Sequence, residues 1–231
     1  MIDLLGITIH EPDVVFTDLV LAGLGAWFAW RLATGRRRTF SKAGATLMGG
    51  LGSAAFWGAV FHAFFPQETA TTAGFIAWIP VSLSIAVAAT AMLHIALEIL
   101  LPGMASVVRR GILAAYVAGF ATVVLLVDES FTSIVFFYVP ALLLFLAGAG
   151  LQAVRTGSGW NSIVVGLLVS VGAALMQQAG VSLDPDHFDH NAVYHVIQSI
   201  ALVILYRGFR ELPEATGRTY ATGQNPTLRS G

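Results

Sequence analysis

"AWFAWRLATGRRRTFSKAGATLMGG", residues 26–50, closes one apolar run, crosses a basic connection and enters a second apolar run. A helix needs about 20 mainly apolar residues to cross a bilayer. Arg36, Arg37, Arg38 and Lys42, set between two such runs, therefore mark a short loop at a membrane surface. The same alternation continues along the chain. Seven apolar segments are predicted, at 14–34, 43–65, 74–101, 110–127, 131–154, 161–178 and 191–207. Turn or charge signals separate them: "PQETATTAG", "LPGMASVVRR", "DES", "RTGSG" and "GVSLDPDHFD".

Composition agrees with that pattern. Hydrophobic residues make up 56% of the 231 and charged residues only 11%, against about 25% charged in a soluble domain. The expected fold is an all-α membrane protein, a seven transmembrane helix bundle over residues 1–212, followed by a flexible polar tail over 213–231. The strand-length alternation of a membrane β-barrel is absent. With no cysteine there is neither a disulfide framework nor a thiolate metal site. A net charge of −1 gives no argument for nucleic acid. The first residues, "MIDLLGITIHEPD", are read as a short acidic segment at the membrane surface, without the basic start of a signal peptide.

The positive charges set an orientation. Arg31, Arg36, Arg37, Arg38 and Lys42 follow the first span, Arg109 and Arg110 the third, and Arg155 the fifth. Arg207, Arg210, Arg218 and Arg229 follow the seventh. These are all 12 Lys and Arg residues, and all fall on one side of a seven-span chain. The positive-inside rule then puts the N-terminus outside and the C-terminus in the cytoplasm. The other side collects acids, among them Glu11, Asp13, Glu68, Asp128, Asp184, Asp186 and Asp189. Compact loops and arginine-rich, lysine-poor composition suggest a bacterial inner membrane.

Ionisable residues inside spans are costly and mark function more often than elsewhere. Counting a rise of about 1.5 Å per residue puts Asp18, His62, Asn191 and His195 at one depth, roughly 5–8 Å below the outer boundary. They come from the first, second and seventh spans. Asn191 and His195 are four apart and share a helix face. With His62 they have the donor types to hold one metal ion, and three protein ligands plus water make a catalytic zinc site. Asn191 is the poorer ligand; it either holds a water, orients a ligand or caps the seventh helix. Asp18 is a candidate carboxylate behind the ligands, a further ligand, or a base; its plain alternative is a bond to a neighbouring helix. His190 is a further candidate metal ligand, turned about 100° from Asn191 on a helix, so it joins the site only if the helix starts later. His94 and Glu98 lie near the opposite end of the third span, as a structural pair or a second metal or proton site. The acidic loop with Asp184, Asp186, His187 and Asp189 is either solvated or a cation site, and it lacks the ligand series of an EF-hand. His10, Glu11 and Asp13, on the same side, are placed to close over the cavity.

The seven-span plan, "GAVFHAFF" over 58–65 and "NAVYH" over 191–195 resemble the CREST superfamily of membrane hydrolases, which includes alkaline ceramidases, adiponectin and progestin receptors and haemolysin III-like proteins. The family pattern is Ser-x-x-x-His on the second helix, Asp on the third and His-x-x-x-His on the seventh, with three zinc-binding histidines. The resemblance implies that His62 and His195 are metal ligands, with Asn191 at the position of the third. Gly58 stands at the serine position, and the third span carries no Asp. The function implied is a zinc-dependent membrane hydrolase acting on a lipid amide or ester near the outer face, with Asp18 and Asn191 as catalytic residues. Its partners are the lipid bilayer and a lipid substrate, and the number of chains is left open. The alternative is a non-enzymatic binding or sensor protein, or a subunit of a membrane complex. A transporter ranks below both, because the inner half offers only His94 and Glu98. A retinal protein lacks its lysine in the seventh span.

Overall fold

A computed structural model describes residues 1–4, 6–36, 38–65, 71–184 and 187–214. Glu68, Asp186, Arg37, Arg218, Arg229 and most of the polar tail lie outside the described residues. Among the described residues there are seven long helices: α1 (Pro12–Thr34), α2 (Ser41–Phe64), α3 (Thr72–Leu100), α4 (Ser106–Leu126), α5 (Phe131–Thr156), α6 (Ser158–Gln178) and α7 (His190–Glu211). The shortest have 21 residues, about 31 Å of helix, and all seven are long and apolar enough to cross a membrane. The chain is an all-α, multi-pass membrane protein.

Helix ends explain where the boundaries move from those expected. Asp189 caps α7: its Oδ1 accepts the backbone N–H groups of Asn191 and Ala192 at 2.8 and 2.9 Å. The helix therefore starts at His190, and it continues to Glu211. Thr71 caps α3 by accepting the N–H of Gly74 at 3.0 Å. The short "DES" turn is held by Asp128, which accepts the Ser130 N–H at 3.1 Å and the Ser130 hydroxyl at 2.8 Å. Its other hydroxyl donor is Ser133. These bonds hold the Asp128 carboxyl below the usual carboxylate range and let α5 start within five residues of the end of α4. Pro80 and Pro140 sit inside helices that continue through them, as membrane helices tolerate.

α1 packs on α2 and α7, α2 on α3, α3 on α5, α5 on α6, and α6 on α7. Six helices thus form a closed ring, and α4 leans on the outside against α3. Only Phe120 and Val124 of α4 are buried, in a small cluster with Ala86 and Ile134. In lipid, helices associate through van der Waals contact and small residues rather than by escape from water. A Cβ on Gly25 of α1 would come within 2.5 Å of the Gly52 Cα of α2. A Cβ on Gly159 of α6 would meet the Gly208 carbonyl of α7 at 2.2 Å. At both crossings the backbones touch. Phe28 stacks on Tyr206 with ring centroids 4.3 Å apart, joining α1 to α7.

The surface segment before α1 is not irregular. Ile2–Leu4 and Ile7–Ile9 form an antiparallel hairpin, β1 and β2, with Ile2 opposite Ile9. Gly6 has φ +81°, the left-handed region that glycine enters without steric cost. The hairpin docks on the end of α2, where the His10 N–H donates to the Ala63 carbonyl at 3.2 Å.

The α1–α2 contact gives a direct test. Gly25→Val and Gly52→Val should each destabilise the purified protein by about 1–3 kcal/mol, as overpacking does. Gly23→Ala, where a Cβ meets nothing within 4 Å, should be neutral or slightly stabilising because Ala favours helix. Denaturant unfolding in detergent, followed by helical circular dichroism, checks both.

Candidate functional site

The end of the bundle that carries the hairpin also carries the start of α7. There the cap residue Asp189 receives the Asn191 amide on Oδ2 at 3.3 Å, and its own N–H donates to Asp13 Oδ2 of α1 at 3.2 Å. The Asn191 carbonyl oxygen accepts from Gln177 Nε2 of α6 at 2.8 Å. Asn191 is therefore fixed at the rim of the bundle by Gln177 of α6 and by Asp189, which is itself tied to α1.

One turn deeper, His195 is 8% and Asp18 only 2% exposed. Their side chains meet through His195 Nε2 and Asp18 Oδ1 at 3.2 Å. On the other side of the ring, His195 Nδ1 lies 3.3 Å from the Thr17 hydroxyl. That hydroxyl also lies 2.9 Å from the Asp13 carbonyl and 3.0 Å from that of Val14. The hydroxyl therefore ties the His195 ring to the first turn of α1, with the direction of the bond set by the imidazole tautomer.

The second histidine repeats the pairing. His62 Nδ1 of α2 hydrogen-bonds Glu11 Oε2, from the residue that precedes α1. The rings of His62 and His195 stand edge to face with centroids 6.5 Å apart. Asp18 Oδ2 is buried and has no hydrogen-bond partner. It faces Gly58, where a Cβ would stand only 2.9 Å away. An orphaned buried acceptor costs about 1–3 kcal/mol, so this one calls for an explanation.

The structure brings together Asp18, His62 and His195 from α1, α2 and α7. Asn191 lies on the same side, with its oxygen engaged by Gln177. His190 is turned away: its side chain is 43% exposed, and its Nδ1 is 4.0 Å from Asp189. His94 and Glu98 sit at the opposite end, where Glu98 takes Arg109 at 2.9 Å and His94 Nε2 at 3.8 Å. His187 and Asp184 form an exposed pair at 3.3 Å. Sequence reasoning did not single out Thr17, and it read Asp189 only as part of the acidic outer loop. Glu11 it placed only as a cover, whereas it is a direct partner of His62. The capping pattern of Asp189 before an apolar helix was the one available signal for that residue.

Two imidazoles and two carboxylates are donor types that zinc takes, and the spare Asp18 oxygen is of the same kind. Their present spacing is that of two carboxylate–imidazole pairs, one hydrogen-bonded and one in close ion-pair contact. Among the described residues, no group of three or more His, Cys, Asp or Glu stands at metal-holding distance. By donor type His62, His195 and Asp18 are of the kind zinc takes; by spacing they do not form a metal centre among the described residues.

The orphaned oxygen can be tested without knowing the function. Gly58→Ala puts a methyl against Asp18 Oδ2 and should destabilise by about 1–3 kcal/mol. Gly58→Ser brings a hydroxyl donor to the same oxygen, so its loss should be smaller. Thermal unfolding of the two variants side by side reads the order. An Ala variant as stable as Ser would show that the oxygen needs no partner.

No curated protein and no solved structure matches the chain. Residues 14–214 match the model of a family of unknown function, DUF6962, over an extent that runs from the first turn of α1 past the end of α7, and the chain belongs to that family.

Proposed function

We propose that the chain is a metal-dependent membrane hydrolase that cleaves a lipid amide or ester, a divergent relative of the CREST superfamily. The observation that carries the reading is the convergence of two carboxylate–histidine pairs, Glu11–His62 and Asp18–His195, with ring centroids 6.5 Å apart. Asp18 follows the start of α1 by six residues, about 9 Å along the axis. That depth suits a linkage just below a lipid headgroup.

A zinc ion held by His62, His195 and Asp18 would supply a Lewis acid that makes water nucleophilic near neutral pH. The chain's own residues do the rest. Glu11 and Thr17 fix the two imidazole rings, as carboxylate and hydroxyl partners of catalytic histidines do. Asp18, with its second oxygen open, is the carboxylate placed to take a proton from water at the site. Asn191, anchored by Gln177 and Asp189, offers its amide at the rim to orient the substrate headgroup. Positive-inside reasoning puts this face outside and the arginine-bearing face in the cytoplasm, and the composition favours a bacterial inner membrane.

One observation favours a second reading, a non-enzymatic binding or sensor protein. The histidines are already satisfied by hydrogen bonds, and no third ligand stands at metal distance among the described residues. In that reading, a donor group of a small ligand meets the orphaned Asp18 oxygen.

Metal content separates the two. Protein purified without added metal should carry about one zinc per chain by mass spectrometry. The His62→Ala, His195→Ala double variant should lose the zinc while keeping its helical circular dichroism. Hydrolysis of long-chain N-acyl and ester lipids should fall by about 100-fold or more in either single variant. Zinc-free protein that stays empty when zinc is offered, and cleaves none of these lipids, would leave the binding reading standing alone.

A further inference from the structure

The end of the bundle opposite the histidines holds a cavity of about 390 Å³ between the C-terminal ends of α1 and α7. Its wall carries four guanidinium groups, Arg31, Arg36, Arg38 and Arg210, beside Trp30 and Leu32. Arg36 meets Glu214 at 3.4 Å, with both side chains mostly in solvent, a contact worth little. Among the described residues, Arg31, Arg38 and Arg210 have no carboxylate at ion-pair distance.

The guanidinium groups are nevertheless oriented. Arg38 donates to the Leu212 carbonyl at 3.0 Å. Arg31 lies over the Trp27 ring and Arg210 over the Tyr206 ring, each 5.7 Å from the centroid. Stacking leaves the N–H donors unspent, in the fork geometry that matches phosphate oxygens. The negative helix C-termini account for one arginine in each last turn, Arg31 and Arg210. They do not account for Arg36 and Arg38, which lie beyond the end of α1. Four like charges around one concavity repel until an anion enters.

The surroundings identify the anion. Trp27 and Trp30 of α1 are 52% and 53% exposed, and Val203 of α7 is 39% exposed. They stand at or within two turns of the arginines on the same two helices, which pack together through Phe28 and Tyr206. The cavity thus opens onto an apolar, lipid-facing seam. Basic pockets between helices at a membrane surface take lipid headgroups. We propose that this cavity binds the phosphate of an anionic phospholipid from the surrounding leaflet, with its acyl chains along the α1–α7 seam. The site is independent of the histidine cluster and of whatever that cluster does.

Native mass spectrometry of the full chain, offered equal amounts of phosphatidylglycerol and phosphatidylcholine, tests this. The expected result is one retained phosphatidylglycerol, strongly preferred over phosphatidylcholine. An arginine near an anionic lipid is worth about fivefold in affinity. The Arg31→Gln, Arg210→Gln variant should therefore reduce that preference by roughly 20- to 30-fold. Helical circular dichroism and lipid-free melting of the variant establish that it folds. If it does not, the more exposed single variant Arg36→Gln should still lower the preference by about fivefold. Equal retention of the two lipids, or an unchanged preference in a folded variant, overturns the proposal. Displacement of the lipid by millimolar inorganic phosphate also overturns it, by assigning the cavity to a soluble phosphate ligand.

Discussion

The backbone contact between α1 and α2 at Gly25 and Gly52 is the constraint on which the site depends. A bilayer gives helices little hydrophobic reason to associate, so close van der Waals contact must do it. α1 touches α2 on one side and α7 on the other, and these three helices carry Asp18, His62 and His195. If α1 moved outward by the width of one methyl group, Asp18 would part from both its histidine partner and Gly58. The small residues are thus part of the site, although they lie well away from it along the helix. Gly58 does the same locally, because a Cβ there would stand 2.9 Å from Asp18 Oδ2 and press on the carboxylate.

Much of the fold was legible because a membrane imposes two strong one-dimensional rules. Span length sets where helices lie, and the sidedness of Arg and Lys sets how many there are. An odd count was the one arrangement that left all the basic residues on a single face. The errors are at ends, where capping rather than hydropathy decides. Asp189 and Thr71 set their boundaries through side-chain hydrogen bonds to one or two backbone N–H groups, which a hydropathy window averages away. The hairpin at Ile2–Leu4 and Ile7–Ile9 escaped because three-residue strands give too few alternations to register. The marginal packing of α4 escaped for another reason. Its composition is as apolar as that of its neighbours, and only the contacts tell a helix inside the ring from one leaning on it.

The site was legible by depth and not by partner. Counting residues from the span ends put Asp18, His62 and His195 in one layer, and the structure brings them together. Which nitrogen meets which oxygen was not accessible. Glu11 lies before α1 and reaches His62 only because the hairpin folds back onto α2. Thr17 reads as an ordinary helix residue until His195 is seen beside it. Asn191, read as a ligand, an orienting group or a cap, turns out to be one of the residues that Asp189 caps. Its amide is tied to that carboxylate and its oxygen to Gln177.

The Gly58 position also bears on the chemistry. A serine there would give the Asp18 carboxylate a permanent donor and settle both of its oxygens. With glycine, one oxygen lies 3.2 Å from His195 Nε2 and the other is left open inside an apolar bundle. Such an oxygen is costly unless something arrives to meet it, and both readings of the protein supply that something. A metal would take it as a ligand; a bound molecule would take it as a hydrogen-bond acceptor. The two differ in what they ask of the site. A divalent cation needs a deprotonated carboxylate and open imidazole lone pairs, whereas a hydrogen-bond donor needs only the open oxygen. Both demands arise from the absence of a single side chain at position 58.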